Sequence, residues 1–211
     1  MKPKKKFWPL FLEALILFMG IPMLFYWDLI PLPKILVLIL AAAYCGFQLW
    51  RDPDFGFGML VKTKPKSISK SFLIRFPLVA ITLVAITAVA QPDQFLAFPS
   101  NRPFVWMVVM LLYPLLSALP QEFIFRSFFF HRYAHLIKVK YGTILASAAA
   151  FSFLHIIYDN WWAVALSFIG GLLFGLTYKR TKSLYWVTVE HAIYGCLVFT
   201  LGMGNYFYEA F

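Results

Sequence analysis

Long apolar runs separated by short polar or basic stretches set the pattern of this chain. Seven such runs lie at about residues 8–27, 33–50, 71–90, 104–128, 142–157, 161–178 and 184–203. A helix needs roughly 17–25 mostly apolar residues to cross a bilayer, so each run predicts a membrane-spanning helix. The fifth and sixth runs are short and are parted only by Tyr158, Asp159 and Asn160. Pro31 and Pro33 precede the second run, and Pro114 and Pro120 lie inside the long fourth one. A kink is expected in the fourth, because proline removes a backbone donor and clashes with the preceding turn. The first run follows a basic start, as a signal peptide would. It continues through Leu24 and Trp27 without a small-x-small cleavage site, which predicts an uncleaved span. The expected fold is all-α, a polytopic transmembrane helical bundle of about seven spans. No internal repeat stands out, which weighs against an inverted-repeat transporter. The chain divides for description into a three-span region, 1–103, and a region 104–211, packed as one unit. Residues 51–70 come nearest to a linker.

Composition agrees with this pattern. Hydrophobic residues make up 62% of the 211 and charged residues 13%, against about 45–50% and about 25% in soluble domains. Nine acidic residues are too few to cover a water-facing surface. A soluble globule, a disordered tail and a nucleic-acid-binding domain are thereby excluded, despite a net charge of +10. The bilayer is the first expected partner. Cys45 and Cys196 both lie in apolar runs and read as packing residues, not as a disulfide framework. The basic residues sort by side. With seven spans, Lys2, Lys4, Lys5, Lys6, Arg51, Lys62, Lys64, Lys66, Lys70, Arg132, Lys138, Lys140, Lys179, Arg180 and Lys182 share one face of the membrane. The positive-inside rule makes that face cytoplasmic, with the N-terminus inside and the C-terminal tail outside. Trp27, Trp50, Trp161 and Trp162 fit interfacial belts.

Ionisable residues within the spans are costly and usually face a partner or a cavity. Glu13 and Arg75 stand alone in sequence and read as structural, pairing across helices or snorkelling. His131 and Arg132 lie near the cytoplasmic boundary, where solvent or lipid contact is the default. Gln121, Glu122, Arg126, His155, Glu190 and His191 gather in the second half. Glu122 and Arg126 are four apart and share a helix face. At about 1.5 Å of rise per residue, Glu122, His155 and His191 reach depths within roughly 8 Å of one another. A carboxylate and an imidazole can hold and deprotonate a water for attack on a carbonyl, while a second imidazole donates to the oxyanion. Two histidines and a glutamate can instead ligate zinc, although the H-E-x-x-H spacing is absent. Proton relay in a transporter is the third chemical possibility.

These motifs resemble those of the CAAX-protease and bacteriocin-processing (CPBP, or ABI) family of intramembrane endopeptidases. The family pattern is E-E-x-x-x-R, then F-x-x-x-H, then H-x-x-x-N or D, on successive transmembrane helices. Here Gln121-Glu122-Phe123-Ile124-Phe125-Arg126, Phe151 to His155 and His191 to Gly195 are similar to the three motifs in order. The resemblance covers about residues 104–203. It implies a helical fold around a cavity that opens into the membrane, and hydrolysis of a peptide bond in a membrane-associated protein or peptide. It further implies that Glu122 and His155 activate water, that His191 stabilises the oxyanion, and that Gln121 and Arg126 organise the site. Glu190, beside His191, is an additional carboxylate able to orient an imidazole. No metal is assigned; if zinc is present, Glu122, His155 and His191 are its expected ligands. The expected location is the cell membrane, as a multi-pass protein. Two departures stand out. Gln121 fills the first glutamate position, where a neutral amide cannot act as a base, and Gly195 fills the last polar position. Adjacent helical residues point about 100° apart, so Glu122 does not simply inherit the direction of the first glutamate. The alternative reading is therefore a catalytically altered member that binds a membrane peptide or acts as an immunity-type protein.

Overall fold

The computed structural model describes residues 7–61 and 65–207. Lys2, Lys4, Lys5, Lys6, Lys62, Lys64 and the tail beyond 207 lie outside the described residues. Among the described residues seven long helical stretches follow one another: α1 (Phe7–Tyr26), α2 (Lys34–Trp50), α3 (Pro65–Ala90), α4 (Pro103–Leu136), α5 (Gly142–Tyr158), α6 (Trp161–Thr181) and α7 (Leu184–Leu201). No strand occurs among the described residues. Helices α1, α4, α6 and α7 are long and apolar enough to cross a membrane, while α2, α5 and the 74–90 part of α3 are shorter apolar helices. Large apolar side chains cover the outside. Ile74, Phe104 and Leu111 are each more than 70% exposed, a surface that only lipid can solvate cheaply. The chain is an integral membrane protein.

Helix α4 answers its prolines by widening. Two π-helical turns, Pro114–Ala118 and Phe123–Phe128, interrupt it, with the Leu119 amide bonding back to the Pro114 carbonyl. Pro114 cannot donate to the Met110 carbonyl one turn earlier. The Cys196 thiol of α7 stands 4.0 Å from that carbonyl. The helix also runs past residue 128, where its apolar run ends, as far as Leu136. Partners account for this extension. Arg132 donates from Nε and Nη2 to the two oxygens of Glu13 at 2.7 and 2.6 Å, and the Tyr133 hydroxyl donates to Glu13 at 2.6 Å. His131 meets Asp52 at 3.1 Å. The solvent or lipid role expected of His131 and Arg132 thus gives way to ties from α4 to α1 and to the turn that follows α2. Beneath them Phe18 of α1 packs against the rings of Phe125, Phe129 and Tyr133.

Helices α5 and α6 approach most closely, and small residues make this possible. A β-carbon on Gly171 would come within 2.9 Å of the Ala148 backbone, and one on Gly175 within 2.9 Å of Ile144. The turn between the helices carries Asp159 at φ 45°. Asn160 caps α6 by accepting from the amides of Trp162 and Ala163. This tight hairpin fixes the height of Phe151 and His155 against α7. A single buried cluster then runs from Phe18 and Cys45 through Phe125, Phe128 and Phe151 to Phe174, Val187 and Tyr194.

Candidate active site

Between the two widened turns of α4, residues Leu119–Glu122 form one ordinary helical turn. Glu122 and Arg126 are fully buried, and Oε2 of Glu122 lies 3.2 Å from Nε of Arg126. The guanidinium donates from Nη1 to the Ser147 hydroxyl at 3.2 Å. Its plane also lies over aromatic rings, 4.9 Å from the centroid of Phe151 and 5.7 Å from that of Phe174. A buried charge needs such company, since an unpaired one is strongly unfavourable in a low-dielectric interior.

The other carboxylate oxygen reaches α7. Nδ1 of His191 donates to Oε1 of Glu122 at 2.8 Å. The imidazole is held on two further sides, stacked on Phe174 at 4.6 Å and edge-on to Phe151 at 5.5 Å. On α5, Nδ1 of His155 donates to the Phe151 carbonyl at 2.7 Å, and its ring meets those of Phe151, Tyr158 and Phe207. A carbonyl can only accept, and a carboxylate facing arginine is an acceptor as well, so both imidazoles carry hydrogen on Nδ1 in their neutral forms. The lone pair of each is then on Nε2.

His155, His191 and Gln121 all line one cavity of about 420 Å³, walled mostly by apolar side chains from α3, α6 and α7. Leu78 and Ile169 line it and are also exposed on the outer apolar surface. The cavity therefore meets the lipid side of the protein between α3 and α6. Glu122 does not line it; His191 stands between. Gln121 donates from Nε2 to Ser117 at 2.8 Å, and its Oε1 is buried without a hydrogen bond. Glu190 turns elsewhere. It lies 3.5 Å from Arg75 and accepts from the Tyr194 hydroxyl at 3.4 Å, while Arg75 donates to Thr177 at 2.9 Å. The six residues singled out in the sequence thus separate into three groups. Gln121, His155 and His191 line the cavity, Glu122 and Arg126 support His191 from behind, and Glu190 joins α7 to α3. The sequence reading missed Ser147, Phe174 and Tyr113, which hold or border the same groups. Only the proximity of Ser147 to Phe151, one helical turn apart, offered a signal.

Of the three ligands expected for zinc, His155 and His191 keep an Nε2 lone pair open at the cavity, while Glu122 lies off the cavity behind His191, with Oε1 on that imidazole and Oε2 3.2 Å from Arg126. Among the described residues no three His, Cys, Asp or Glu side chains cluster as a ligand set.

The fold and the site define a class: an integral membrane protein whose helices enclose a buried Glu–Arg–His cluster beside a lipid-facing cavity. Residues 103–197 match the family model for Type II CAAX prenyl endopeptidase Rce1-like proteins. That segment runs from the start of α4 into α7 and contains every residue of the cluster. Proteins of that family are generally proteases. No curated protein and no solved structure gives a match.

Proposed function

We propose that this protein is an intramembrane endopeptidase that hydrolyses a peptide bond of a membrane-associated protein or peptide, with His191 as base, Glu122 as its support and His155 as the second anchor for water. The observation that carries the reading is the Glu122–His191 hydrogen bond at 2.8 Å behind a cavity that His155 also lines. Water bound between the two Nε2 atoms gives a proton to His191. The hydroxide oxygen forms a bond to the carbonyl carbon, and the carbonyl π pair moves onto its oxygen. When that pair returns, the C–N bond breaks and the leaving nitrogen takes the proton back from the imidazolium. Glu122 steadies the transient positive charge, and Arg126, 3.2 Å from its other oxygen, holds Glu122 in position. The apolar walls exclude bulk water and strengthen each of these interactions.

The concentration of basic residues on one side supports a cytoplasmic N-terminus and residence in the cell membrane. Gln121 favours a second reading. A neutral amide in the cavity, with Oε1 unpaired, suits capture of a peptide backbone without cutting, as in a binding or immunity-type protein. Purified protein in lipid nanodiscs, incubated with fluorogenic membrane-anchored peptides, separates the two. Cleavage that falls about 10²–10⁴-fold in His191→Ala and His155→Ala supports the peptidase. Equal turnover in wild type and both variants overturns it, and retention of intact peptide by all three favours the binding reading.

A further inference from the structure

The two histidines supply acceptors, and hydrolysis of an amide also needs a donor where negative charge develops on oxygen. With each Nδ1–H committed to the protein, the neutral imidazoles present only a lone pair to the cavity. His191 acquires an Nε2–H only on taking the proton from water, and that proton is reserved for the leaving nitrogen, so a separate donor is sought among the cavity-lining side chains. Gln121 spends an amide hydrogen on Ser117, which ties those two groups to each other. Ser167 lies seven residues, about 10 Å along α6, from the Phe174 that stacks on His191. Thr82 donates to the Leu78 carbonyl at 2.8 Å and Tyr194 to Glu190 at 3.4 Å, while the Tyr158 ring lies under the Lys34 ammonium. Tyr113 stands beside His191 itself.

Tyr113 lines the same cavity and stands edge-on to His191, with ring centroids 6.0 Å apart at 74°. Its ring is braced from the other side by Phe199 at 5.3 Å. Its hydroxyl lies against Gly195, where a β-carbon would run into both the hydroxyl and the ring. The hydroxyl has no hydrogen-bond partner among the described residues. The missing side chain at 195 is what admits the phenol beside His191, one helical turn away on α7.

We infer that Tyr113 is a catalytic residue whose hydroxyl donates to the carbonyl oxygen of the scissile bond, and that Gly195 provides the space that holds it there. The inference rests on the peptidase reading. As the carbonyl carbon becomes tetrahedral its oxygen gains the π pair, and the phenol shares its proton without giving it up. No group is consumed, and collapse of the intermediate restores the original hydrogen bonding.

The test is steady-state cleavage of the fluorogenic membrane-anchored peptides by Tyr113→Phe. Because the hydroxyl holds nothing in the fold, this variant should keep the thermal midpoint of the wild type. Its kcat should fall by about 10²–10³-fold, the usual loss of one oxyanion donor, with KM within about twofold. Gly195→Ala, which displaces the phenol and leaves the hydroxyl intact, should show the same kcat loss, and the double variant should add little to either. Active wild type with an unchanged kcat in Tyr113→Phe overturns the role of Tyr113 and leaves the peptidase reading standing. A change in KM alone does the same. A wild type that cuts no peptide overturns the reading and the inference together.

Discussion

Glu122 and His191 lie 69 residues apart in sequence and 2.8 Å apart in space, and their hydrogen bond is the seam between α4 and α7. It sits at the end of a relay that begins at Ser147 and passes through Arg126. None of these side chains can be neutralised without leaving a neighbour buried and uncompensated.

Glu122→Gln keeps the shape of the side chain and removes its charge. Arg126, fully buried, would lose the carboxylate 3.2 Å from its Nε. The expected destabilisation is about 3–5 kcal/mol, the typical consequence of breaking a buried pair from one side. Adding Arg126→Met should recover most of the thermal midpoint, because the replacement fills the space between Phe151 and Phe174 with an apolar chain. Activity should stay low in both variants, since His191 lacks its carboxylate in each. Thermal unfolding in detergent beside peptide cleavage checks this. Recovery of activity along with stability would show that Glu122 serves the fold alone.

The hairpin of α5 and α6 should tolerate no bulk at its contact. Gly171→Val inserts a branched side chain where even a β-carbon lies 2.9 Å from the Ala148 backbone. Overpacking of this kind is unfavourable by about 1–3 kcal/mol. The movement it forces on α5 also shifts Phe151 and His155, so kcat should fall more steeply than the thermal midpoint. Gly170→Val provides the control for the thermal midpoint alone, since Gly170 lines the cavity. The atoms nearest its added β-carbon belong to the ring of Phe174, at 3.2 Å and beyond, and not to a backbone. An equal loss of thermal midpoint in the two variants would count against the close-contact argument.

The pattern of apolar runs was enough to foresee the helices, because lipid leaves the backbone no other way to satisfy its own hydrogen bonds. The break at Tyr158, Asp159 and Asn160 marked the short turn between α5 and α6 equally well. The order of Gln121, Glu122, His155 and His191 along the chain pointed to the segments that border the cavity. Which of two adjacent side chains faces the cavity was not legible. Gln121 and Glu122 differ only by a rotation about the helix axis, and the widened turns on either side set that rotation. Tyr113 was hidden for a different reason. A tyrosine in an apolar run looks like any interfacial aromatic, and only the space above Gly195 gives its hydroxyl a purpose. The partner of Glu13 was equally unreadable, since Arg132 lies 119 residues away.

The Glu13 cluster should matter to stability and not to chemistry. Its carboxylate accepts from Arg132, Tyr133 and Tyr44, and none of the four lines the cavity. Glu13→Gln replaces charge-assisted hydrogen bonds by neutral ones. The expected loss is about 1–3 kcal/mol, reduced by the partial exposure of the pair. It should appear as a lower thermal midpoint, with kcat and KM for the peptide both within about twofold of the wild type at a temperature where the variant is folded. A large fall in kcat would mean that the cluster transmits to the site through the second widened turn of α4.

The direction of insertion is open to a direct measurement. Cys45 is buried and Cys196 lies half-buried among the helices, and both are free thiols. Replacing each with alanine leaves a background on which single cysteines report exposure. Lys138, in the turn between α4 and α5, sits on the side rich in lysine and arginine, whereas Asp93, in the short turn after α3, sits on the other. If the basic side faces the cytoplasm, Asp93→Cys should react with a membrane-impermeant maleimide on intact cells. Lys138→Cys should react only after permeabilisation. The reverse pattern would turn the protein over, and would move the Gln121 end of the cavity, with its two imidazoles, to the opposite depth relative to a substrate entering from the cytoplasm. Labelling of both positions on intact cells would break the alternation of seven spans. A span between residues 93 and 138 would then have to be absent or re-entrant, which the continuous 34-residue helix Pro103–Leu136 argues against.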